Sequence, residues 1–174
     1  MKIIVLTTLF VLLPWVVGDS QAFEPTEYEE WGGLSFRVQR DLDGDVYGLS
    51  FQSGVWWVGT PVFGEISGGW LTDRLQDGDF SFVGFTLRWL PRTNWAPFVG
   101  VGGNYQSLVS DRERREDPLE HKPRSYWSGH AEAGLRIWFG EARHFLEGLY
   151  RQTWTERSGD FDYSWIAIAY GRLL

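Results

Sequence analysis

The sequence predicts an all-β fold, an eight-stranded antiparallel up-and-down β-barrel, and three observations support this prediction. Apolar and polar residues alternate over segments of about ten residues, the period of a strand whose two faces differ. Of the 11 tryptophans, all but Trp15 follow Ala22, and nearly all of these lie where such a segment begins or ends. Turn sequences that contain glycine or proline separate the segments, as expected for successive hairpins.

Eight segments show this pattern, and each places its larger apolar side chains on one face. The fifth segment, residues 97–105, differs because glycine occurs on both of its faces. In chain order, the apolar faces of the other segments are Leu34, Phe36 and Val38; Tyr47, Leu49 and Phe51; Val62, Ile66 and Trp70; Val83, Phe85, Leu87 and Trp89; Trp127, Ala131, Ala133, Leu135 and Ile137; Leu146, Gly148 and Tyr150; and, from about Phe161 to the C-terminus, Ile166, Ile168 and Tyr170.

Two kinds of connection alternate along the chain. Glycine beside aspartate, which favours tight hairpins because glycine accepts a positive φ, occurs in residues 43–45, 77–79 and 158–160. The fourth connection of this alternating set has no glycine and is the long charged stretch of residues 111–124. The connections between them are short and comprise residues 59–61, 91–94 and 139–142. We therefore expect polar tips at one end of the barrel, and short turns with both termini at the other.

The first residues have the pattern of a secretory signal peptide. A positive charge precedes the apolar run of residues 3–17, and small residues up to Ala22 provide a cleavage site. The run is shorter than the roughly 20 apolar residues that span a bilayer, and Pro14 interrupts it, which argues against an uncleaved anchor. We expect residues 1–22 to be removed and residues 23–174 to form one domain. The chain has no cysteine, which excludes a lipoprotein anchor and disulfides.

The alternation alone leaves open which face of the barrel is apolar. A periplasmic lipocalin-like carrier would hold its apolar face inside around a ligand, whereas a transmembrane barrel would turn that face toward lipid. Charges next to glycine at mid-strand, as in Glu132, Gly134 and Arg136, suit a narrow interior of paired charges. We therefore expect a transmembrane β-barrel whose interior is filled and is not an open pore. The charge network predicted for this lumen comprises Glu65, Arg88, His130, Glu132, Arg136, Glu147 and Arg151.

The tryptophans predict two outward aromatic girdles. An indole ring is apolar but carries an N–H group that needs a polar partner, so tryptophan collects at membrane–water boundaries. One set of segment ends carries Trp31, Trp56, Trp57, Trp89, Trp95 and Trp138. The other set carries Trp70, Trp127, Trp154 and Trp165.

Residues 97–105 (PFVGVGGNY) and 133–138 (AGLRIW) resemble the small eight-stranded outer-membrane β-barrels of Gram-negative bacteria, such as the membrane domain of outer-membrane protein A. The final segment, residues 165–174, resembles the last strand that the barrel-assembly machinery recognises. Family members usually end on an aromatic residue, whereas this chain ends on Leu174. The resemblance implies a place in the cell outer membrane, after export through the periplasm. It also implies membrane lipid, lipopolysaccharide and the barrel-assembly machinery as partners, and leaves room for an extracellular or envelope protein.

Three residues of one strand invite an enzymatic interpretation. Ser128, His130 and Glu132 share a face and could serve as nucleophile, base and orienting carboxylate in acyl transfer. Alternate residues of a strand stand about 6.6–7 Å apart and point in parallel, so we expect a lumen network instead. Barrel enzymes that hydrolyse lipid A acyl chains carry a His-x-Ser pair on the second-last strand, and no serine follows His144 at that position. A lipid A-modifying acyl hydrolase is therefore an alternative function, less favoured than a role without catalysis.

A calcium loop is the second chemical interpretation that the sequence invites. Residues 41–45 (DLDGD) offer closely spaced carboxylates, but an EF-hand loop requires glycine at its sixth position and glutamate at its twelfth. Val46 and Gln52 occupy those positions. We therefore expect a hairpin tip there, and neither a metal nor another cofactor.

The distribution of charge narrows the set of partners. The net charge is −7 and no basic cluster is present, so nucleic acid is not expected as a partner. The connection of residues 111–124 mixes both charge signs and is either a solvated loop or a contact surface for lipopolysaccharide head groups or an extracellular protein. Its candidate residues are Asp111, Arg112, Arg114, Arg115, Glu116 and Glu120. The sequence thus predicts a structural or surface-interaction role.

Overall fold

The computed structural model describes residues 33–42, 46–73, 78–110, 124–139, 144–155 and 163–173. The predicted signal peptide, Trp31, the glycine–aspartate tips at residues 43–45 and 158–160, and most of the charged connection lie outside the described residues. Within the described ranges, no helix has the length and apolar character needed to cross a membrane.

Eight strands form a closed barrel in which every strand is antiparallel to its neighbours. Each strand pairs with the next one in the sequence, and the last pairs with the first, which confirms the predicted up-and-down topology. Closure leaves no strand edge unpaired. The strands are β1 (Gly33–Asp41), β2 (Val46–Trp56), β3 (Val62–Asp73), β4 (Gly78–Trp89), β5 (Trp95–Ser110), β6 (Arg124–Phe139), β7 (His144–Thr155) and β8 (Ser164–Leu173).

The strand order defines two ends of the barrel. The lower end, as we name it, carries the start of β1, the end of β8 and the short turns that follow β2 and β4. In the first of these turns Gly59 has a φ of 70°, a left-handed conformation that glycine adopts without steric cost. The upper end carries the connections that follow β1, β3, β5 and β7.

Outward side chains are mainly apolar and inward ones mainly polar, the reverse of a water-soluble protein. Ile66 and Ile168 on the outward face are 64% and 65% exposed, whereas Arg88 and Arg136 on the inward face are each 1% exposed. The apolar faces predicted from the alternation are the outward faces of the strands. The period of two along each strand therefore separates apolar from charged side chains across the barrel wall.

Two apolar clusters occupy the ends of the interior, and a polar layer lies between them. The lower cluster contains Trp56, Phe63, Leu90, Ala96, Phe98, Trp138, Phe145, Leu149, Ala167 and Leu173. The upper cluster contains Val46, Leu71, Phe80, Phe82 and Trp165, with Tyr126 and Tyr163 packed against it. Because both ends are apolar, the polar side chains between them are buried.

The prediction of outward girdles is wrong for three tryptophans. Trp56, Trp138 and Trp165 point inward and are 3%, 6% and 5% exposed. They lie at strand ends as predicted, but this fixes only their position along the barrel axis. Whether a side chain points inward or outward depends on whether its residue is odd or even in the alternation of the strand. The tryptophans that do face outward are Trp57, Trp89 and Trp95 at the lower end and Trp70, Trp127 and Trp154 at the upper end.

Glycines on the inward face make room for aromatic rings of neighbouring strands. A Cβ atom added to any of three inward glycines would overlap a phenylalanine ring of the adjacent strand. The lower cluster can therefore pack densely against bare backbone at these positions. The pairs are Gly54 with Phe63, Gly134 with Phe98, and Gly171 with Phe145.

Replacing Gly134 with alanine tests this packing. The new methyl group would overlap both the backbone carbonyl oxygen of Gly148 and the Phe98 ring, so strand and ring must shift, and we expect the free energy of unfolding to fall by at least about 1–3 kcal/mol. The midpoint of urea unfolding, followed by tryptophan fluorescence, measures the loss. Gly148→Ala is the matched control, because a Cβ there meets nothing within 4 Å and should change stability by less than about 0.5 kcal/mol. Equal effects of the two substitutions would contradict the packing argument.

Candidate functional site

The polar layer holds a charge network, which we define as four arginines and three glutamates that β1, β3, β4, β6 and β7 contribute. All seven side chains are buried. The N···O distances are 3.2 Å for Arg37–Glu65, 3.3 Å for Arg37–Glu147, 3.0 Å for Arg88–Glu65, 2.5 Å for Arg88–Glu132, 3.2 Å for Arg88–Glu147, 2.7 Å for Arg136–Glu147 and 2.7 Å for Arg151–Glu132.

Strand register creates two of these pairs directly. Arg136 lies opposite Glu147, and Glu132 lies opposite Arg151, in the pairing of β6 with β7. Arg136 donates from Nε and Nη2 to one oxygen of Glu147 at 2.9 and 2.7 Å. Arg151 donates in the same manner to Glu132, also at 2.9 and 2.7 Å. A shift of one residue in this register would turn the two charges of one strand outward and leave the two charges of the other strand without these partners.

Arg88 connects the three glutamates, because its guanidinium contacts Glu65, Glu132 and Glu147. Gly100 of β5 lies between Arg88 and Glu132 in the sheet. A Cβ atom at Gly100 would stand 2.9 Å from Cγ of Arg88 and 3.2 Å from Cγ of Glu132. Glycine at this position therefore lets the arginine and the glutamate meet across the intervening strand.

The charge network carries one more positive than negative group, and aromatic rings surround Arg136, one of its two arginines with a single carboxylate partner among the described residues. Among the described residues, Arg136 forms an ion pair only with Glu147. Its Cζ atom lies 4.0 Å from the centroid of the Phe145 ring, 5.0 Å from that of Phe63 and 5.4 Å from that of Trp138. The negative faces of these rings stabilise a guanidinium in a buried site. The lower cluster thus packs against the charge network and also offsets its excess positive charge.

His130, part of the predicted network, faces the interior but forms no ion pair among the described residues. Its Nδ1 lies 3.2 Å from Nδ2 of Asn104, and its Nε2 lies 2.9 Å from Oγ1 of Thr86. Because an amide nitrogen only donates, Nδ1 accepts from Asn104 and a neutral ring carries its hydrogen on Nε2. His130 therefore belongs to a hydrogen-bonded layer above the charge network.

Ser128, His130 and Glu132 share the inward face, but each forms its described hydrogen bonds with side chains outside this trio. The hydroxyl of Ser128 accepts a hydrogen bond from Nε2 of Gln106 at 2.7 Å, and Glu132 bonds to two arginines. No hydrogen bond joins the three side chains to one another within the described part of the chain. All three are buried inside the barrel, so they do not contact the outward face.

Arg37 is the member of the charge network that the sequence-based prediction omitted. It contacts Glu65 and Glu147, and the latter is 110 residues away in the sequence. The alternation of β1 places Arg37 opposite Leu34, Phe36 and Val38, and this signal was sufficient to include it. Sequence separation hides its partners, because only barrel closure brings β1 next to the second half of the chain.

A small cavity lies beside Arg151, above the charge network. Its volume is about 20 Å³, roughly the space of one water molecule. Its walls are formed by Gln39, Leu71, Phe82, Asn104, Gln106, Arg151, Thr153 and Trp165. The buried side chains of the charge network occupy the middle of the barrel next to this cavity, as expected for eight strands.

The remaining candidate sites are the residues considered as a calcium loop and the predicted surface loop. No group of three histidine, aspartate or glutamate side chains that could hold a metal occurs among the described residues. Asp41 is buried on the inward face, and residues 43–45 lie outside the described residues. The predicted surface residues Asp111, Arg112, Arg114, Arg115, Glu116 and Glu120 also lie outside the described residues.

Replacing Glu147 with glutamine tests the charge network. The carboxylate contacts three arginines, so its loss leaves four buried cations with two carboxylates. Because an uncompensated buried charge is costly, we expect the free energy of unfolding to fall by about 3–5 kcal/mol. Urea unfolding followed by tryptophan fluorescence measures the change.

Two comparison variants make this test specific. Arg136→Met leaves three arginines with three glutamates, so we expect a smaller loss of about 1–2 kcal/mol. Asp79→Asn alters an exposed carboxylate at the upper end and should change stability by less than about 0.5 kcal/mol. A loss for Arg136→Met as large as that for Glu147→Gln would refute the argument from charge balance.

Comparison with known proteins gives structural but not sequence matches. No protein-family model matches the sequence, and no curated protein matches it. The N-terminal β-barrel domain of Pseudomonas aeruginosa OprF is 13% identical, with a TM-score of 0.60 over 83% of this chain and 97% of that chain. Neisserial surface protein A (NspA) is 9% identical, with a TM-score of 0.58 over 82% of this chain and 94% of that chain.

A third similar structure is the Yersinia pestis outer-membrane protein Ail in a phospholipid bilayer nanodisc. It is 14% identical, with a TM-score of 0.50 over 81% of this chain and 98% of that chain. Identities this low are informative about architecture alone. The closed antiparallel barrel and these similarities together show that the chain has the fold of the small eight-stranded outer-membrane β-barrels.

Proposed function

We propose that this chain is an integral protein of the bacterial outer membrane with a structural or surface-interaction role, and that its barrel is not an open pore. The observation that carries this proposal is the contrast between an apolar outer wall and an interior of paired charges between two apolar clusters. In a membrane the apolar outer wall contacts hydrocarbon, while the charges are kept away from lipid inside the barrel.

The outer wall supports the location. Ile66, Val101 and Ile168, on three different strands, are each more than 60% exposed. A continuous apolar surface of this kind is unfavourable in water by about 25 cal/mol per Å², and hydrocarbon removes that cost. Barrel closure pairs the backbone groups between strands, as a span through lipid requires. The outward tryptophans at both ends match the two membrane–water boundaries.

The interior supports the absence of a pore. Aromatic side chains of the lower cluster, including Trp56, Trp138 and Phe145, pack against each other across the barrel. Trp165 and Phe82 belong to the upper cluster, and the buried charge network lies between the two clusters. A solute would have to separate these contacts and break several ion pairs in order to pass.

When lipid surrounds the barrel wall and the interior is sealed, the connections between strands are the parts available for contact with other molecules. β5 ends at the upper end, and the predicted connection of residues 111–124 follows it in the sequence, with the charged candidates Asp111, Arg112, Arg114, Arg115, Glu116 and Glu120. We propose lipopolysaccharide head groups or an envelope or extracellular protein as the partner of this region. Insertion would require the barrel-assembly machinery, with β8 as the contacting strand.

The two alternative functions have less support. A lipid A acyl hydrolase needs a nucleophile that reaches the lipid, whereas Ser128 and His130 lie inside the barrel with other partners. A lipocalin-like carrier needs an apolar ligand cavity, whereas the interior contains a charge network and a cavity of about 20 Å³.

Membrane fractionation and reconstitution test the proposal. In a Gram-negative host we expect the chain in the outer-membrane fraction, resistant to alkaline extraction and released by detergent, because its outer wall is apolar. After reconstitution into lipid vesicles, we expect no leakage of a small trapped dye, because the interior is filled. An open bacterial porin in matched vesicles is the positive control for leakage.

The two readouts contradict different parts of the proposal. Recovery in the soluble periplasmic fraction without detergent would overturn the membrane location. Dye leakage equal to that of the porin would overturn the sealed interior and leave the location intact.

A further inference from the structure

Two basic side chains lie opposite each other on the outward face at the lower end. His144 begins β7, and Arg172 is its direct partner near the end of β8. Directly opposed residues of an antiparallel pair have Cβ atoms about 4.5–5.5 Å apart and point to the same side. Arg172 is exposed and His144 is half-buried, so both are accessible from outside the barrel.

Aromatic rings hold the imidazole of His144 in place. Its ring stacks on Phe139 and on Tyr170, with centroids 5.9 Å apart in both cases and interplanar angles of 24° and 17°. The hydroxyl of Tyr170 lies 2.8 Å from Nδ1 of His144. When that hydroxyl donates to Nδ1, the hydrogen of a neutral imidazole is on Nε2. The arrangement therefore presents a positioned N–H donor.

The donors of this basic pair have no protein acceptor among the described residues. The structure gives neither the Arg172 guanidinium nor Nε2 of His144 a hydrogen bond or ion pair there, in contrast to the arginines of the charge network. Among the described residues, the other outward side chains of the lower half are apolar, aromatic or small. Nearby examples are Leu34, opposite Arg172 on β1, and Leu146, two residues along β7.

We propose that His144 and Arg172 bind the phosphate group of a membrane phospholipid, a proposal that rests on the membrane location proposed above. A phosphodiester carries one negative charge and several acceptor oxygens, which match an arginine fork and an adjacent imidazole N–H. Leu34 and Leu146 lie beside the pair on the same face and would contact the acyl chains. A free phosphate shares the headgroup chemistry but would leave these apolar contacts unused.

Native mass spectrometry of the detergent-solubilised full chain tests this site. Phosphatidylglycerol is the probe, and diacylglycerol, which lacks the phosphate, is the comparison lipid. We expect the wild-type chain to retain phosphatidylglycerol, and Arg172→Gln to reduce the retained fraction about fivefold through loss of a charge-assisted contact. His144→Phe, which keeps an aromatic ring for stacking but removes both nitrogens, should also reduce retention.

Arg40→Gln is the matched control. Arg40 is an exposed, outward arginine at the opposite end of β1, the strand that neighbours β8, so its removal changes the net charge equally. We expect it to retain phosphatidylglycerol at the wild-type level. A gel-shift assay of the unheated and heated protein verifies that each variant is a folded barrel; should Arg172→Gln fail to fold, His144→Phe carries the test.

Several results would overturn this proposal while leaving the membrane location untouched. The first two are retention of phosphatidylglycerol by Arg172→Gln and His144→Phe at the wild-type level, and a loss of retention in Arg40→Gln as large as in the site variants. The other two are retention of diacylglycerol equal to that of phosphatidylglycerol, and displacement of the bound phosphatidylglycerol by millimolar inorganic phosphate. A chain that stays soluble without detergent would instead overturn the membrane location itself.

Discussion

Ionised side chains inside a narrow barrel need opposite charges within contact distance, because an unpaired buried ion costs several kcal/mol. In this protein Arg88 and Glu147 meet that requirement by contacting three partners each. Some of these partners come from strands far apart in the sequence, as Arg37 does for Glu147, and such pairs form only when the barrel closes. Closure and charge pairing therefore depend on each other, and both depend on a single strand register.

The need to pair buried charges explains why glycines and aromatic rings surround the charge network. Gly100 allows Arg88 to reach Glu132, and glycines under the phenylalanine rings allow the lower cluster to approach the network. The rings then stabilise the guanidinium of Arg136, which has a single carboxylate partner among the described residues. Small residues and rings on the inward face thus serve one requirement, the stabilisation of buried charge.

Strand number, order and the outward face could be predicted from the sequence, because a period of two and frequent turns are local properties. The same parity would have assigned Arg37 to the interior, and it would have turned Trp56, Trp138 and Trp165 inward instead of into the girdles. The pairing partners could not be predicted. Arg37 and Glu147 are 110 residues apart, and the register of eight strands decides their contact. The basic pair of His144 and Arg172 likewise depends on the register of β7 with β8.

The separation of apolar and charged faces across the wall is the central claim, and spin-label accessibility tests it most directly. The chain has no native cysteine, so single-cysteine variants at Val83, Phe85 and Thr86 can be labelled in turn. In lipid vesicles, labels at Val83 and Phe85 should collide often with oxygen and rarely with a water-soluble nickel chelate. The label at Thr86 should collide rarely with both, because that position faces the filled interior. Frequent oxygen collisions at Thr86, with shielded labels at Val83 and Phe85, would contradict the account.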